Sequence, residues 1–175
     1  ATSAFTAGRL VELGVDRARL RVVEPGTDAA PAARGGGGGP VRLLCVAAIT
    51  PRKGHDVLVD ALARLGGRDW HCRCVGSRRR FPAWARALDE RARDHGVAGR
   101  IEWAGELDEA DLEAAWNEAD ALVLASRHEG YGMVVAEALA RGLPVVTTTG
   151  GALAETLPTG CGWAVAPDDA AALAD

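Results

Sequence analysis

The chain has 175 residues, 48% hydrophobic and 25% charged, with a net charge of −4. This composition fits one globular domain with a buried core and excludes a disordered chain. The acidic balance argues against a general nucleic-acid binder, which would normally be basic. No apolar run approaches the ~20 residues of a membrane span, and residues 1–15 do not have the pattern of a signal peptide. Because an Ala-rich helical pattern still runs at Asp175, we expect the chain to be part of a longer protein.

The first 40 residues lack the regular alternation of the rest. They predict a short helix at 2–13 and a short strand at 20–23 (LRVV), followed by the low-complexity stretch AAPAARGGGGGP at 29–40. The glycines could form a phosphate-binding loop or a flexible connector. A connector is favoured, because no Lys followed by Ser or Thr comes after them.

From residue 41 onward, apolar strands alternate with helices of about ten residues. The predicted strands are 41–48, 70–75, 100–104, 121–125, 144–148 and 162–165, and the predicted helices are 56–65, 83–95, 109–118, 133–140, 152–157 and 169 onward. This order indicates an α/β fold, a doubly wound, Rossmann-like parallel sheet with helices on both faces. Continuously apolar strands such as ADALVLA are expected when both faces are covered.

In such sheets ligands bind beyond the carboxyl ends of the strands, so the loops there are the candidate site. Arg52, Lys53 and Gly54 follow the first strand, where a helix begins, and suit an anion, although a solvated loop would explain them equally well. Gly76 follows the second strand and the segment 105–107 the third. Gly76 could let the backbone approach a ligand closely.

The fourth strand is followed by EGYGM at 129–133, whose two glycines free backbone N–H groups that could face a phosphate. Glu137 is the only charged residue of the next helix, which we expect to be almost entirely buried. A buried carboxylate needs a partner. The alternatives are an arginine, such as Arg141 one turn later, and the hydroxyl groups of a bound ribose.

No metal site is predicted. The chain has no Asp-x-Asp pair, and its cysteines at 45, 72, 74 and 161 have no zinc spacing, so we expect them to be buried reduced thiols. We therefore expect phosphate charge to be balanced by Lys53, Arg52 and helix N-termini rather than by a divalent cation.

The stretch EGYGMVVAEALARGLPVVTTTGGALAE resembles the donor-site motif of glycosyltransferase family 4, whose members are retaining enzymes of the GT-B fold. Its core is two glutamates separated by seven residues. PRKGHDVL resembles the Lys-Gly element of the family, and VVEPGTD resembles the segment just after the interdomain linker. The resemblance implies that residues 1–40 are an interdomain helix, strand and Gly-rich linker. Residues 41–175 would be the nucleotide-sugar donor-binding domain, half of a GT-B fold, without its N-terminal acceptor domain.

The resemblance also implies roles for individual residues. Lys53 and Glu129 would be the catalytic residues, Lys53 at the donor diphosphate and Glu129 beside the transferred sugar. The other donor-binding residues would be Arg52, Gly54, Gly76, Gly105, Leu107, Gly130, Tyr131, Gly132, Met133 and Glu137. Among these, Glu137 would hold the ribose and the backbone at 105–107 would border the base. The arginine that usually precedes the lysine by five or six residues is replaced by Ala48 or Ala47, and Arg52 is a candidate substitute.

These expectations define a retaining hexosyltransferase that uses a UDP- or GDP-sugar without metal or other cofactor. We expect it in the cytoplasm, with any contact to the inner face of a membrane made by the missing domain, and we expect the isolated chain to be inactive. The alternatives are a GT-B-like sugar-nucleotide epimerase, a phosphorylase-like enzyme and a non-catalytic sugar-nucleotide-binding module. A phosphorylase would need a lysine for pyridoxal phosphate, and Lys53 is the only lysine. The missing arginine favours the non-catalytic module.

Overall fold

A computed structural model describes residues 1–175. Its centre is a sheet of six strands in the order β3-β2-β1-β4-β5-β6, and every pair of neighbours is parallel. The strands are β1 (Val41–Val46), β2 (Trp70–Val75), β3 (Ile101–Gly105), β4 (Ala121–Leu124), β5 (Val145–Thr148) and β6 (Gly162–Val165). The central strands are largely buried, as their continuous apolar sequences require.

Seven α-helices accompany the sheet. They are α1 (Ala4–Glu12), α2 (His55–Arg64), α3 (Pro82–Asp94), α4 (Glu109–Glu118), α5 (Met133–Ala140), α6 (Leu153–Thr156) and α7 (Ala170–Ala174). Strands β1 to β3 extend the sheet in one direction and β4 to β6 in the other. Because parallel crossovers are right-handed, α2 and α3 cover one face and α4, α5 and α6 the other, while α7 packs against α2. The predicted doubly wound, Rossmann-like fold is confirmed.

The strand order reverses between β1 and β4, which are neighbours in the sheet. The chain leaves β1 toward one face and β4 toward the other, so a crevice opens at their carboxyl ends. This switch point is where doubly wound sheets bind their ligands. The loops at 47–54 and 125–132 form the two walls of this crevice.

The short strand predicted at 20–23 is wrong. A single turn of 3-10 helix, Arg17–Arg19, is followed by extended chain that belongs to no sheet. The Arg21 carbonyl and the Val23 N–H hydrogen-bond only to Ala1, at 2.8 and 2.9 Å. An apolar, β-branched run becomes a strand only where a neighbouring strand completes the hydrogen bonding.

The glycine-rich stretch is tied to the domain at its beginning. The Gly36 N–H donates to Asp120 Oδ1 at 2.8 Å, and a Cβ on Gly35 would lie 2.6 Å from the same oxygen. Cys45, Cys72 and Cys74 are buried free thiols as predicted, whereas Cys161 is partly exposed. None of the helices combines the length and the apolar character that a membrane crossing requires.

Candidate functional site

The two walls of the crevice touch each other closely. After β1 the chain makes one turn of 3-10 helix, Pro51–Lys53, and Gly54 then takes a left-handed conformation with φ of 65°. A Cβ on Gly54 would lie only 2.0 Å from the carbonyl oxygen of Ala125, directly after β4. Glycine is therefore required at position 54 because the loops pack against each other, which is a structural role beside the predicted donor contact.

Arg127 connects the two loops by hydrogen bonds, a role that the sequence analysis did not identify. Its guanidinium binds both carboxylate oxygens of Asp56, at 2.8 and 3.0 Å, and contacts Asp168 at 2.7 Å. The backbone N–H of Arg127 donates to the Arg52 carbonyl oxygen at 2.8 Å. Bidentate arginine–carboxylate pairs fix geometry as well as charge. In the sequence, the one signal that could have indicated this pairing is Asp56, the acidic residue in the first turn of α2.

Glu129 lies at the centre of the site and is 7% exposed. Its carboxylate accepts a hydrogen bond from Ser126 at 2.7 Å, forms an ion pair with Arg52 at 3.2 Å, and pairs directly with Lys53. Burial alone would raise the pKa of Glu129. The hydrogen bonds from Lys53, Ser126 and Arg52 and the charge of Lys53 outweigh it and hold that pKa below its usual range. Glu129 is therefore an anion held by two cations.

The loop before α5 presents N–H groups without partners. None of the backbone N–H groups of residues 130–134 has a hydrogen-bond partner within the chain. The carbonyl oxygens of this loop are all occupied. Gly130 accepts from the N-terminal residues, Tyr131 from Thr156, and Gly132 from Val135. The free donors and the positive end of α5 together form a site suited to an anion.

Gly132 makes this turn possible. It has a φ of 97°, and a Cβ there would lie 2.8 Å from Leu153 Cδ2. The backbone of Glu129 is held on the opposite side, where its N–H donates to Gly150 and its carbonyl accepts from Ala152. Of the predicted loop residues, Glu129 is the one that contacts Lys53 and Arg52. Tyr131 is half-buried and Met133 is 39% exposed.

Glu137 departs from the expectation in two ways. Helix α5 is not almost entirely buried, since only Val135 and Ala138 are fully covered, and Glu137 is half-buried. Its carboxylate has no hydrogen bond or ion pair within the chain. Arg141 pairs instead with Glu113 and donates to the Glu137 carbonyl oxygen at 3.1 Å, so the predicted alternative of an Arg141 partner is wrong.

The residues after β2 and β3 lie further along the sheet edge, beyond β1 from the Glu129 cluster. A Cβ on Gly76 would lie 2.2 Å from the Ala47 carbonyl oxygen, so Gly76 serves the packing of two loops. Gly105 has a φ of 72° with open space around it, and its carbonyl accepts from the Gly76 N–H at 2.7 Å. Leu107 is half-buried against the core. These positions leave the backbone at 105–107 accessible.

Two cavities lie away from these loops. One of about 430 Å³ is lined by residues at the amino ends of β1 and β2, such as Arg42 and His71. Another of about 370 Å³ lies between α2, α7 and the sheet and has an almost entirely apolar lining. Neither includes Lys53, Glu129 or the 130–134 loop. The candidate site lies instead at the carboxyl edge of the sheet.

A family model described as "Glycosyl transferases group 1" matches residues 40–175. The chain belongs to this family. Glycogen synthase of Mycobacterium tuberculosis is 36% identical over 180 residues, which cover 98% of this chain and 42% of the relative. The chain therefore spans less than half the length of this glycosyltransferase relative.

Solved glycosyltransferase structures have the same fold. A glycosyltransferase from Rickettsia africae superposes with a TM-score of 0.88 at 26% identity, covering 99% of this chain and 50% of its own. Anabaena HepE, solved in complex with UDP and glucose, superposes with a TM-score of 0.90 at 21% identity, again over 99% and 50%. The second similarity is one of fold alone. Residues 1–39, including α1, lie outside the part that the group 1 family model matches.

Proposed function

We propose that this chain is the donor-binding half of a retaining, family 4 glycosyltransferase of the GT-B type, which transfers a hexose from a nucleoside-diphosphate sugar. Residues 41–175 would bind the donor, and residues 1–40 would join it to an N-terminal acceptor domain. The observation that carries the proposal is the meeting of two features at the switch point. These are the unpartnered N–H groups of residues 130–134 and the two cations, Lys53 and Arg52, which pair with Glu129 directly before them.

In the proposed reaction the nucleoside diphosphate is the leaving group. Its developing negative charge would be stabilised by Lys53, Arg52 and the N–H groups at the start of α5. Lys53 is bound to Glu129 in the structure, so a diphosphate competes with Glu129 for the ammonium group. Glu129 would then be available to the hydroxyl groups of the sugar while an oxocarbenium-like centre develops.

Glu137 is proposed to bind the ribose. Its carboxylate lies one turn beyond the phosphate-facing end of α5, is half-buried, and has no partner to lose. A carboxylate accepts well from two neighbouring hydroxyl groups, as acidic residues do in other nucleotide-binding sheets. The accessible backbone at 105–107 would border the base.

A metal-independent reaction is proposed because cationic side chains and helix N–H groups already face the phosphate position. The names of the relatives, among them glycogen synthase and a lipopolysaccharide core mannosyltransferase, support a sugar-transfer role. The complex of HepE with UDP-glucose supports the class of donor. Without the acceptor half, we expect no transfer by the 175-residue chain, because the acceptor is not held in line with the donor.

The test is a thermal-shift and calorimetric titration of the chain with UDP, GDP, ADP and their hexose conjugates in EDTA. At ~100 times the dissociation constant a ligand adds about 2.7 kcal/mol, a rise of roughly 5–10 °C in Tm for a domain of this size. Uridine and inorganic pyrophosphate serve as controls for the two halves of the ligand. The proposal is wrong if no diphosphate raises Tm at saturation. Binding that returns only with Mg²⁺ or Mn²⁺ would overturn metal independence.

A further inference from the structure

The N-terminal helix contacts the phosphate-facing loop through one backbone carbonyl. The hydroxyl oxygen of Ser3 lies 2.7 Å from the Gly130 carbonyl oxygen. Thr6 and Thr2 place hydroxyl oxygens 3.1 and 3.3 Å from the same atom. A carbonyl oxygen has two lone pairs and accepts two hydrogen bonds well. Ser3, which is 2% exposed, and Thr6 are the two nearest donors.

Further contacts hold α1 in this place. The Phe5 ring lies against the His128 ring with centroids 5.6 Å apart, and the Phe5 N–H donates to Glu155 Oε2 of α6 at 3.1 Å. Helix α6 in turn binds the loop from its other side, where the Thr156 hydroxyl donates to the Tyr131 carbonyl. Hydroxyl groups of two helices thus hold two successive carbonyl oxygens of the loop.

A peptide group is planar and trans, so its C=O and N–H point in opposite directions. Fixing the Gly130 carbonyl toward α1 therefore turns the Tyr131 N–H away from α1. The Tyr131 carbonyl, held by Thr156, does the same for the Gly132 N–H. This explains why the Tyr131 and Gly132 N–H groups are free while the carbonyl oxygens of the same two peptide groups are occupied.

We propose that Ser3 and Thr6 are positioning residues that orient the 130–134 loop for the donor phosphates, and that α1 is thereby part of the donor site. This inference rests on the proposed function and extends it to residues outside the family match. The affinity for the donor would then depend on the position of α1, which precedes the donor-binding domain. When α1 moves away, the loop loses its orientation and the diphosphate binds more weakly.

The decisive variant is Ser3→Gly/Thr6→Val. Ser3 is also the N-cap of α1 and accepts from the Thr6 N–H at 3.0 Å, so its replacement must keep the helix start. Glycine is tolerated at N-cap positions, and valine is nearly isosteric with threonine. Ser3→Thr/Thr6→Ser keeps both hydroxyl groups and is the rescue variant. Asp169→Gly removes a comparable cap, that of α7, which is not linked to the loop, and is the matched control.

Calorimetry should show about a tenfold loss of UDP affinity in Ser3→Gly/Thr6→Val, no loss for uridine, and wild-type affinity in the rescue and control variants. A merely structural role would lower Tm and leave the preference for UDP over uridine unchanged. Wild-type UDP affinity in the double variant would overturn the inference while leaving the proposed function intact. Should the double variant fail to fold, Thr6→Val alone is measured, with an expected loss of about threefold.

A ligand-free measurement separates this inference from the proposed function. The {1H}–15N heteronuclear NOE of the residue 130–133 amides should fall in Ser3→Gly/Thr6→Val and remain at wild-type values in Asp169→Gly. If wild-type protein bound no nucleotide, the proposed function would fail and this measurement would still decide whether α1 orients the loop. Unchanged NOE values in the double variant would overturn the inference.

Discussion

Two glutamates of the same motif, Glu129 and Glu137, have opposite surroundings. Glu129 is buried and bound on all sides, by Lys53, Ser126 and Arg52. Glu137 is half-buried and its carboxylate binds nothing in the chain. Both are spaced alike from the start of α5, one before it and one within it. Their difference comes from the walls of the crevice, because only Glu129 faces the loop after β1.

This contrast separates two ways of preparing a site. A group that is already satisfied, like Glu129, organises the empty protein and must exchange a partner when the ligand arrives. An unpartnered group, like Glu137, contributes little to the folded state and keeps its hydrogen-bonding capacity for the ligand. Stability and affinity should therefore respond in opposite ways to changes at the two positions.

The largest effect is expected for Lys53→Ala. Its loss should weaken UDP binding by about ten- to a hundredfold, since a charged hydrogen bond is worth roughly 1.5–3 kcal/mol, and UMP binding by less. The difference between UDP and UMP should shrink at high salt. Calorimetry at two ionic strengths measures both ligands. Equal losses for UDP and UMP would show that Lys53 does not act through the second phosphate.

Glu129→Gln should lower stability by about 2 kcal/mol near pH 7, or roughly 4–8 °C in Tm, because Lys53 is left with a neutral partner. Since the folded-state pKa of Glu129 is depressed, its contribution is present above the ordinary glutamate value of about 4.3 and is lost as pH falls through the folded pKa. The Tm difference from wild type should therefore close in acid. A difference that stays constant as the pH falls below the ordinary glutamate pKa would assign the effect to packing.

Glu137→Gln should weaken UMP and UDP by the same factor, about tenfold, and leave the ligand-free Tm unchanged, because the carboxylate has no partner in the chain. Glu113→Gln, on neighbouring α4, removes the partner of Arg141 and serves as the matched control with wild-type affinity. A fall in Tm with unchanged affinity would contradict the ribose role and return Glu137 to a structural one.

The smallest effect concerns the exchange at Lys53. If diphosphate competes with Glu129 for the ammonium group, Glu129→Gln should bind UDP about threefold more tightly than wild type, within the range of a partly screened ion pair. The gain should be absent for uridine. Weaker UDP binding in this variant would mean that Glu129 holds Lys53 in place for the phosphates rather than competing with them.

The sequence was sufficient for the sheet and its helices because their signals are local. Apolar strands and amphipathic helices were located to within about two residues. The strand at 20–23 was wrong because pairing depends on a distant neighbour. Helix α5 was expected to be buried because it is apolar all round, but part of its surface lies at the open edge of the sheet.

The sequence predicted which residues belong to the candidate site but not which of them contact each other. Lys53, Arg52 and Glu129 could be grouped from the order of strands, whereas the pairing among them depends on the distance between two loops. Gly54 and Gly76 were expected to let a ligand approach the backbone, whereas in the structure each lies against the carbonyl oxygen of a neighbouring loop. The hydroxyls of Ser3 and Thr6 reach residues more than a hundred positions away, and a Ser-x-x-Thr cap gives no sign of that reach.

The pairing of Lys53 with Glu129 has a practical consequence for spectroscopy. Lys53 is the only lysine of the chain, so protein made with lysine labelled with 15N at the side chain contains one labelled ammonium group. The Lys53 side chain is 17% exposed and its ammonium group is held by a carboxylate, which slows exchange with water. Its single resonance would therefore report, without any mutation, whether the ammonium faces Glu129 or a bound phosphate.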